Sequence, residues 1–155
     1  MNNSLVKLNK VKKFFNHKNG VIQIFKNLNL EIKRGELVAV VGPSGSGKST
    51  LLHILALLEK PNSGQILFSG LDSKFITDKQ KDELRKRKIS IIFQDNNLLS
   101  DFTSLENILM PLLIRGENEK FSIDRATKTL KEVKLLNRAN HFPSELSGGE
   151  QQRVA

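Results

Sequence analysis

Apolar and polar residues alternate from Leu5 to Val11, and the alternation returns at Leu28, Leu30 and Ile32 after the stretch Val21 to Phe25. A period of two sends one face of a segment into a core and the other into water, so these segments predict strands of a small antiparallel sheet. Asn19-Gly20 has the chemistry of a hairpin turn, and Arg34-Gly35-Glu36 turns the chain again. The pattern then changes. Leu37 to Val41 is an unbroken apolar run, which predicts a buried parallel strand, and Leu51, Leu52, Ile54, Leu55 and Leu58 form an apolar face on a helix predicted over 49–58. Breakers at Lys60-Pro61-Asn62-Ser63-Gly64 end that helix, Gln65 to Phe68 reads as a strand closed by Gly70, and Ile89 to Phe93 reads as another.

From Asp95 to Glu145 the spacing becomes helical. Thr103 and Glu106 form a capping box ahead of Leu105, Ile108, Leu109, Leu112 and Leu113; Pro111 is expected to kink or break that helix. After a polar loop over 116–120, Ile123, Ala126, Leu130 and Val133 predict a second helix over about 123–136. The order is a strand-rich part over 1–94, a helical insert over 95–145 and a short last segment over 146–155.

The junction between the apolar run and the first helix carries the chemistry. Gly42-Pro43-Ser44-Gly45-Ser46-Gly47-Lys48-Ser49-Thr50 fits the phosphate-loop pattern of Gly, four residues, Gly, Lys and Ser/Thr. Gly42, Gly45 and Gly47 let the backbone bend so that successive N–H groups face phosphate oxygens, and the new helix points its positive end at the anion. Lys48 is then placed to meet the β- and γ-phosphates, Ser49 to offer its hydroxyl to Mg²⁺, and Thr50 to add an α-phosphate contact. The plainer alternative is a Gly/Ser-rich turn that binds nothing, but strand and helix flank the motif in the order a phosphate loop requires.

Composition sets bounds around this site. The 155 residues are 38% hydrophobic and 26% charged, an ordinary soluble mix, and the net charge of +9 attracts anions without choosing among nucleotide, nucleic acid and membrane. There is no cysteine, which excludes disulfides and thiolate metal sites, and His17, His53 and His141 lack ligand spacing. No apolar run approaches the roughly 18 residues of a membrane helix, so membrane association is expected through a partner. Arg85-Lys86-Arg87-Lys88 has no interleaved aromatics for stacking bases and reads as a solvated helix end rather than a nucleic-acid groove. Phe14 and Phe15, taken alone, read as packing residues beside a strand.

A second motif follows the helical insert. Leu146-Ser147-Gly148-Gly149-Glu150, running into Gln151-Gln152-Arg153-Val154-Ala155, combines a hydroxyl, two residues without Cβ and a helix start, which together suit another phosphate contact. With the phosphate loop, this motif makes the chain resemble the ATP-binding subunits of ABC transporters over nearly its whole length. Within that family, Leu98 to Asn107, Met110 to Leu113 and Arg138 to Leu146 look most like the lipoprotein-releasing type, while cell-division and macrolide-export relatives share the general pattern.

The resemblance implies an α/β fold, the P-loop NTPase of the ABC type, with a mixed sheet, an N-terminal antiparallel β part and a helical insert, lacking its C-terminal portion. It implies ATP and Mg²⁺ as ligands, Gln94 as the glutamine that approaches Mg²⁺ and the attacking water, and Phe15, where relatives commonly have tyrosine, as the aromatic that stacks on adenine; Phe14 is the alternative. Ser147, Gly148 and Gly149 then close over the nucleotide of a second subunit in a head-to-tail dimer, and Lys48 and Gln94 are the catalytic candidates. Partners by resemblance are a second ATP-binding subunit and transmembrane permease subunits, with no nucleic acid. The location is peripheral, on the cytoplasmic face of the bacterial inner membrane. Ala56-Leu57-Leu58-Glu59 departs from the Gly-Leu-Asp common there, outside the phosphate contacts.

By the same resemblance, an apolar strand ending in Asp-Glu and a later histidine should follow the signature, and neither is found. The expectation is the front part of a longer ATPase, or the product of a disrupted reading frame, binding nucleotide weakly and hydrolysing it hardly at all, with an unpaired edge beside the phosphate-loop strand. Two other readings stand beside the transporter ATPase: an inactive remnant, and a soluble ABC-type ATPase acting on nucleic acid, whose DNA-repair members by resemblance separate the two motifs with a long coiled coil that is not found between Gly47 and Ser147.

Overall fold

A computed structural model describes residues 3–18 and 20–155. Asn19 of the expected Asn19-Gly20 turn lies outside the described residues. The chain divides into two compact units, one reaching Arg85 and the other running from Lys86 to Ala155.

The first unit is built on a four-stranded antiparallel sheet in the order β2-β1-β3-β4, with β1 Ser4–His17, β2 Gly20–Lys33, β3 Ser63–Phe68 and β4 Leu71–Asp72. β1 is longer than its apolar alternation, because pairing with β2 continues through the polar residues as far as His17↔Gly20. Val6 and Leu8 are buried, and then the phase slips by one: Lys10 adopts φ 49 and Val11 and Lys13 are buried. This bulge keeps Val11 and Lys13 on the core side with Val6 and Leu8, which strict alternation would not. Gly64 on β3 faces it with φ +95, and a Cβ there would stand 2.6 Å from Lys10 O and Val11 Cα, so only glycine fits.

The helix α1, Lys48–Leu55, presses Leu51 and Ile54 into this core. It stops before Leu58, earlier than its apolar spacing predicts, because Leu57 turns left-handed (φ 59) and the Leu57 and Leu58 amides donate to Ile54 O and His53 O. That double bond is a Schellman closure made without glycine. α2, Asp78–Arg87, opens on a reciprocal Thr77–Gln80 cap and has no buried residue.

Two predicted strands are not formed. Leu37 to Val41 lies outside every ladder, with Leu37 99% and Val41 87% exposed, and 89–93 likewise joins no ladder, with Ile92 75% exposed. A buried parallel strand needs hydrogen-bonding neighbours and cover on both faces, and no described strand pairs with either run. Among the described residues the sheet is therefore antiparallel rather than mixed.

The second unit contains α3 Ser104–Ile114, α4 Glu119–Glu132, 3-10 turns at Leu136–Arg138 and Pro143–Glu145, and α5 Gly148–Val154. Thr103 and Glu106 make the expected capping box. Pro111 does not break α3: its missing N–H costs one helical bond near the end, and the Gly116 and Glu117 amides close the last turn on Leu113 O and Leu112 O. α4 starts and ends earlier than its apolar spacing predicts, because Asn118 caps it and Lys134, at φ 61, stops it. Leu130, Leu135, Leu146 and Val154 form the core, with Leu98, Leu105 and Ile108 packed against it.

Candidate functional site

The glycine loop runs from Gly42 into α1, and its three glycines have φ 154, 79 and 94 at Gly42, Gly45 and Gly47. A Cβ on Gly42 would lie 2.9 Å from Ser46 Oγ, and one on Gly47 would lie 2.5 Å from Ile24 Cγ2 and 3.1 Å from Phe25 Cε1. The loop thus leans on β2, and a side chain at Gly47 would lever it away. Lys48 Nζ donates to the carbonyl oxygens of Gly42 and Pro43, both at 2.8 Å, drawing the loop around its own ammonium. Ser44 and Gly45 form a turn, Ser46 N donates to Pro43 O at 3.3 Å, and Gly47, the residue before the helix, makes no side-chain cap. The first amides of α1 therefore receive no capping side chain from Gly47. Ser49 is exposed at the same helix start, and Thr50 is half-buried.

Phe15 and Phe14 fall on opposite faces of β1, since neighbouring residues on a strand point apart. Phe15 shares the face of Lys13, whose ammonium lies 4.4 Å from the ring centroid and donates to Glu59 Oε1 at 2.7 Å and Lys60 O at 3.1 Å, just beyond α1. The Lys13 hydrogen bond holds the Glu59 carboxyl below its ordinary range, against the smaller opposing effect of burial. Composition and spacing did not single out Lys13 or Glu59; the only signal was the charged residue two before an aromatic on one strand face.

In the second unit, Gln94 is exposed at a turn in which Asn96 N donates to Phe93 O at 3.3 Å, with Asn96 and Asn97 left-handed (φ 59 and 50). Asn107 clamps the segment that follows: its Nδ2 donates to the carbonyls of Leu99, Phe102 and Thr103, and its Oδ1 accepts from Leu99 N at 2.8 Å. A groove of about 400 Å³ lies beside this turn, lined by Ile91, Leu98, Met110, Pro111 and Val154 among others. Asn96 also lines it, and its Oδ1 is buried with no hydrogen-bond partner among the described residues.

Ser147 caps α5, with Gly148 and Gly149 in the first turn and a capping box to Glu150. The Ser147 amide and hydroxyl, joined by Arg138, bring the Glu150 carboxyl down to about 2.

The antiparallel ribbon feeding a glycine loop and helix, and the helical unit ending in Leu-Ser-Gly-Gly, define a P-loop NTPase fold of the ABC type. The ABC transporter family model matches residues 25–155, and the chain belongs to that family. It is 42% identical over its whole length to the lipoprotein-releasing system ATP-binding protein LolD of Paramagnetospirillum magneticum, covering 69% of that protein. To LolD of Rickettsia typhi it is 45% identical, again over the whole chain and 68% of the relative. The ATP-binding cassette MJ0796, solved as a dimer in a post-hydrolysis state bound to ADP and Pi, matches with a TM-score of 0.89 and 40% identity over 96% of this chain and 66% of that one. The chain spans about two thirds of the length of these proteins.

Proposed function

We propose that the chain is the nucleotide-binding portion of an ABC transporter ATPase, and that its glycine loop holds the triphosphate of ATP. The observation that carries this reading is Lys48 Nζ held at 2.8 Å from both Gly42 O and Pro43 O, in a loop that leads into a helix start without a side-chain cap. An ammonium in that position can exchange loop carbonyls for the β- and γ-phosphate oxygens while the amides of Gly45 to Thr50 turn toward the same anion. Pro43, Ser44 and Ser46 shape the loop between its glycines. Ser49 is the candidate beside the loop to hold Mg²⁺, which when bound would neutralise charge on the β- and γ-phosphates. Phe15 would stack on the adenine ring, and its place on the Lys13 face of β1 favours it over Phe14.

Ser147, Gly148 and Gly149 would face the γ-phosphate held by a second copy, in line with the dimeric cassette of similar fold. Hydrolysis belongs to that assembly. The similarity to LolD supports lipoprotein release as the work being driven, and the place proposed for it, from the family resemblance, is the cytoplasmic face of the inner membrane. The groove beside Asn96, with its unsatisfied acceptor, suits a permease segment that brings both apolar surface and a donor.

Titration calorimetry with Mg-ATP tests the reading. Lys48→Ala should weaken binding by more than about tenfold, because a charge-assisted contact to phosphate is removed. Unchanged affinity in Lys48→Ala would place the triphosphate elsewhere.

A further inference from the structure

Lys13 is unusual for a lysine on a strand: it is 5% exposed. Its ammonium is bound on one side by Glu59 Oε1 and Lys60 O and stands 4.4 Å from the centroid of the Phe15 ring. Phe15 itself is 40% exposed. One face of the ring therefore rests on a desolvated cation while the residue keeps open surface for a partner. Phenylalanine has no hydroxyl with which to fix its own tilt, and the ammonium is a contact that bears on the ring itself. Glu59 and Lys60 lie just past the Schellman turn of α1, the helix that opens at Lys48. Through Lys13, the ring is thus referenced to the same helix as the phosphate loop.

We propose that Lys13, locked by Glu59, is a positioning residue for nucleotide-base recognition: it pins the Phe15 ring from beneath and draws its π-electrons away from the open face, making that face more receptive to an electron-rich purine. The proposal rests on Phe15 as the base-stacking residue. A plain structural staple between β1 and the end of α1 would use the same Lys13–Glu59 bond, but it would act on every ligand of the loop alike. A positioning residue acts only on ligands that have a base.

The experiment compares Mg-ATP with Mg-inorganic triphosphate, which has the phosphates and no base, by calorimetry on the 155-residue chain. Lys13→Met should weaken ATP roughly three- to thirtyfold and leave triphosphate within about twofold, the range expected for a desolvated cation–π contact. Lys13→Arg, which keeps the cation and can still reach Glu59, should recover most of the loss. In a Phe15→Ala background Lys13→Met should have no further effect on ATP, since the ring through which it acts is gone. Triphosphate binding reports that each variant is folded; if Lys13→Met unfolds the chain, Glu59→Gln is read by the same comparison and should also lose ATP selectively. If Phe15→Ala lowers ATP alone while the Lys13 or Glu59 variant lowers both ligands equally or neither, the positioning role is overturned and base stacking stands. If Phe15→Ala fails to separate the two ligands, base stacking at Phe15 is itself wrong and the Lys13 role goes with it.

Discussion

Ser147 and Glu150 close on one another at the start of α5. The amide and hydroxyl of Ser147 donate to Glu150 Oε2 at 2.8 and 2.9 Å, and Glu150 N donates back to Ser147 Oγ at 3.3 Å. Arg138 Nε donates to the other carboxylate oxygen at 3.1 Å. These donors favour the ionised form, which is why the carboxyl drops from 4.5 to about 2. A folded value below the unfolded one stabilises the native state above the unfolded pKa, and that contribution is lost as pH falls from 4.5 toward 2. Thermal melts of Glu150→Gln and the parent across that range should differ most above pH 4.5 and converge near pH 2. A gap that stays constant with pH would contradict the assignment.

Gly64 and Gly35 both have positive φ, +95 and +75, but only Gly64 meets backbone where a Cβ would go. Alanine at either position suffers left-handed strain of about 1–2 kcal/mol, and at Gly64 the bulge of β1 must shift as well. Urea unfolding should therefore show Gly64→Ala to be the more destabilised of the two by about 1 kcal/mol or more. Equal losses would mean that the bulge adapts freely.

Leu130 is wholly buried in the core of the second unit, against Leu135, Leu146 and Val154. Truncation to alanine removes packed methyl groups and leaves a cavity, so Leu130→Ala should cost about 2–5 kcal/mol. Because Leu146 precedes Ser147, the same variant should weaken protection of the α5 amides in hydrogen exchange. Intact protection would separate the cap from its core.

Leu37 is fully exposed within an apolar, unpaired segment. Leu37→Ser should change the stability of the chain by no more than about 0.5 kcal/mol, as for other surface substitutions, while lowering its self-association in light scattering, since exposed apolar edges invite pairing. A loss of several kcal/mol would show that Leu37 is covered in solution.

Much of the local structure could be read from the chain because it depends on neighbours a few residues apart. Thr103 and Glu106 cap α3 through groups three positions distant, and the glycines of the loop take the positive φ values that their spacing implied. Helix ends were harder. Leu57 and Lys134 stop α1 and α4 in left-handed conformations that carry no glycine to announce them.

The apolar runs Leu37–Val41 and Ile89–Phe93 mark which residues favour burial, but hydropathy does not say what would bury them, and pairing is a property of two segments. The bulge at Lys10 and the seating of Lys13 between Phe15 and Glu59 are of the same kind. The glycine turn before α1 and the capping of α5 were written in contiguous residues, whose backbone geometry is local. Which aromatic shares a face with a buried cation depended on a register slip and a distant carboxylate, contacts that exist only once the strand and the end of α1 have packed.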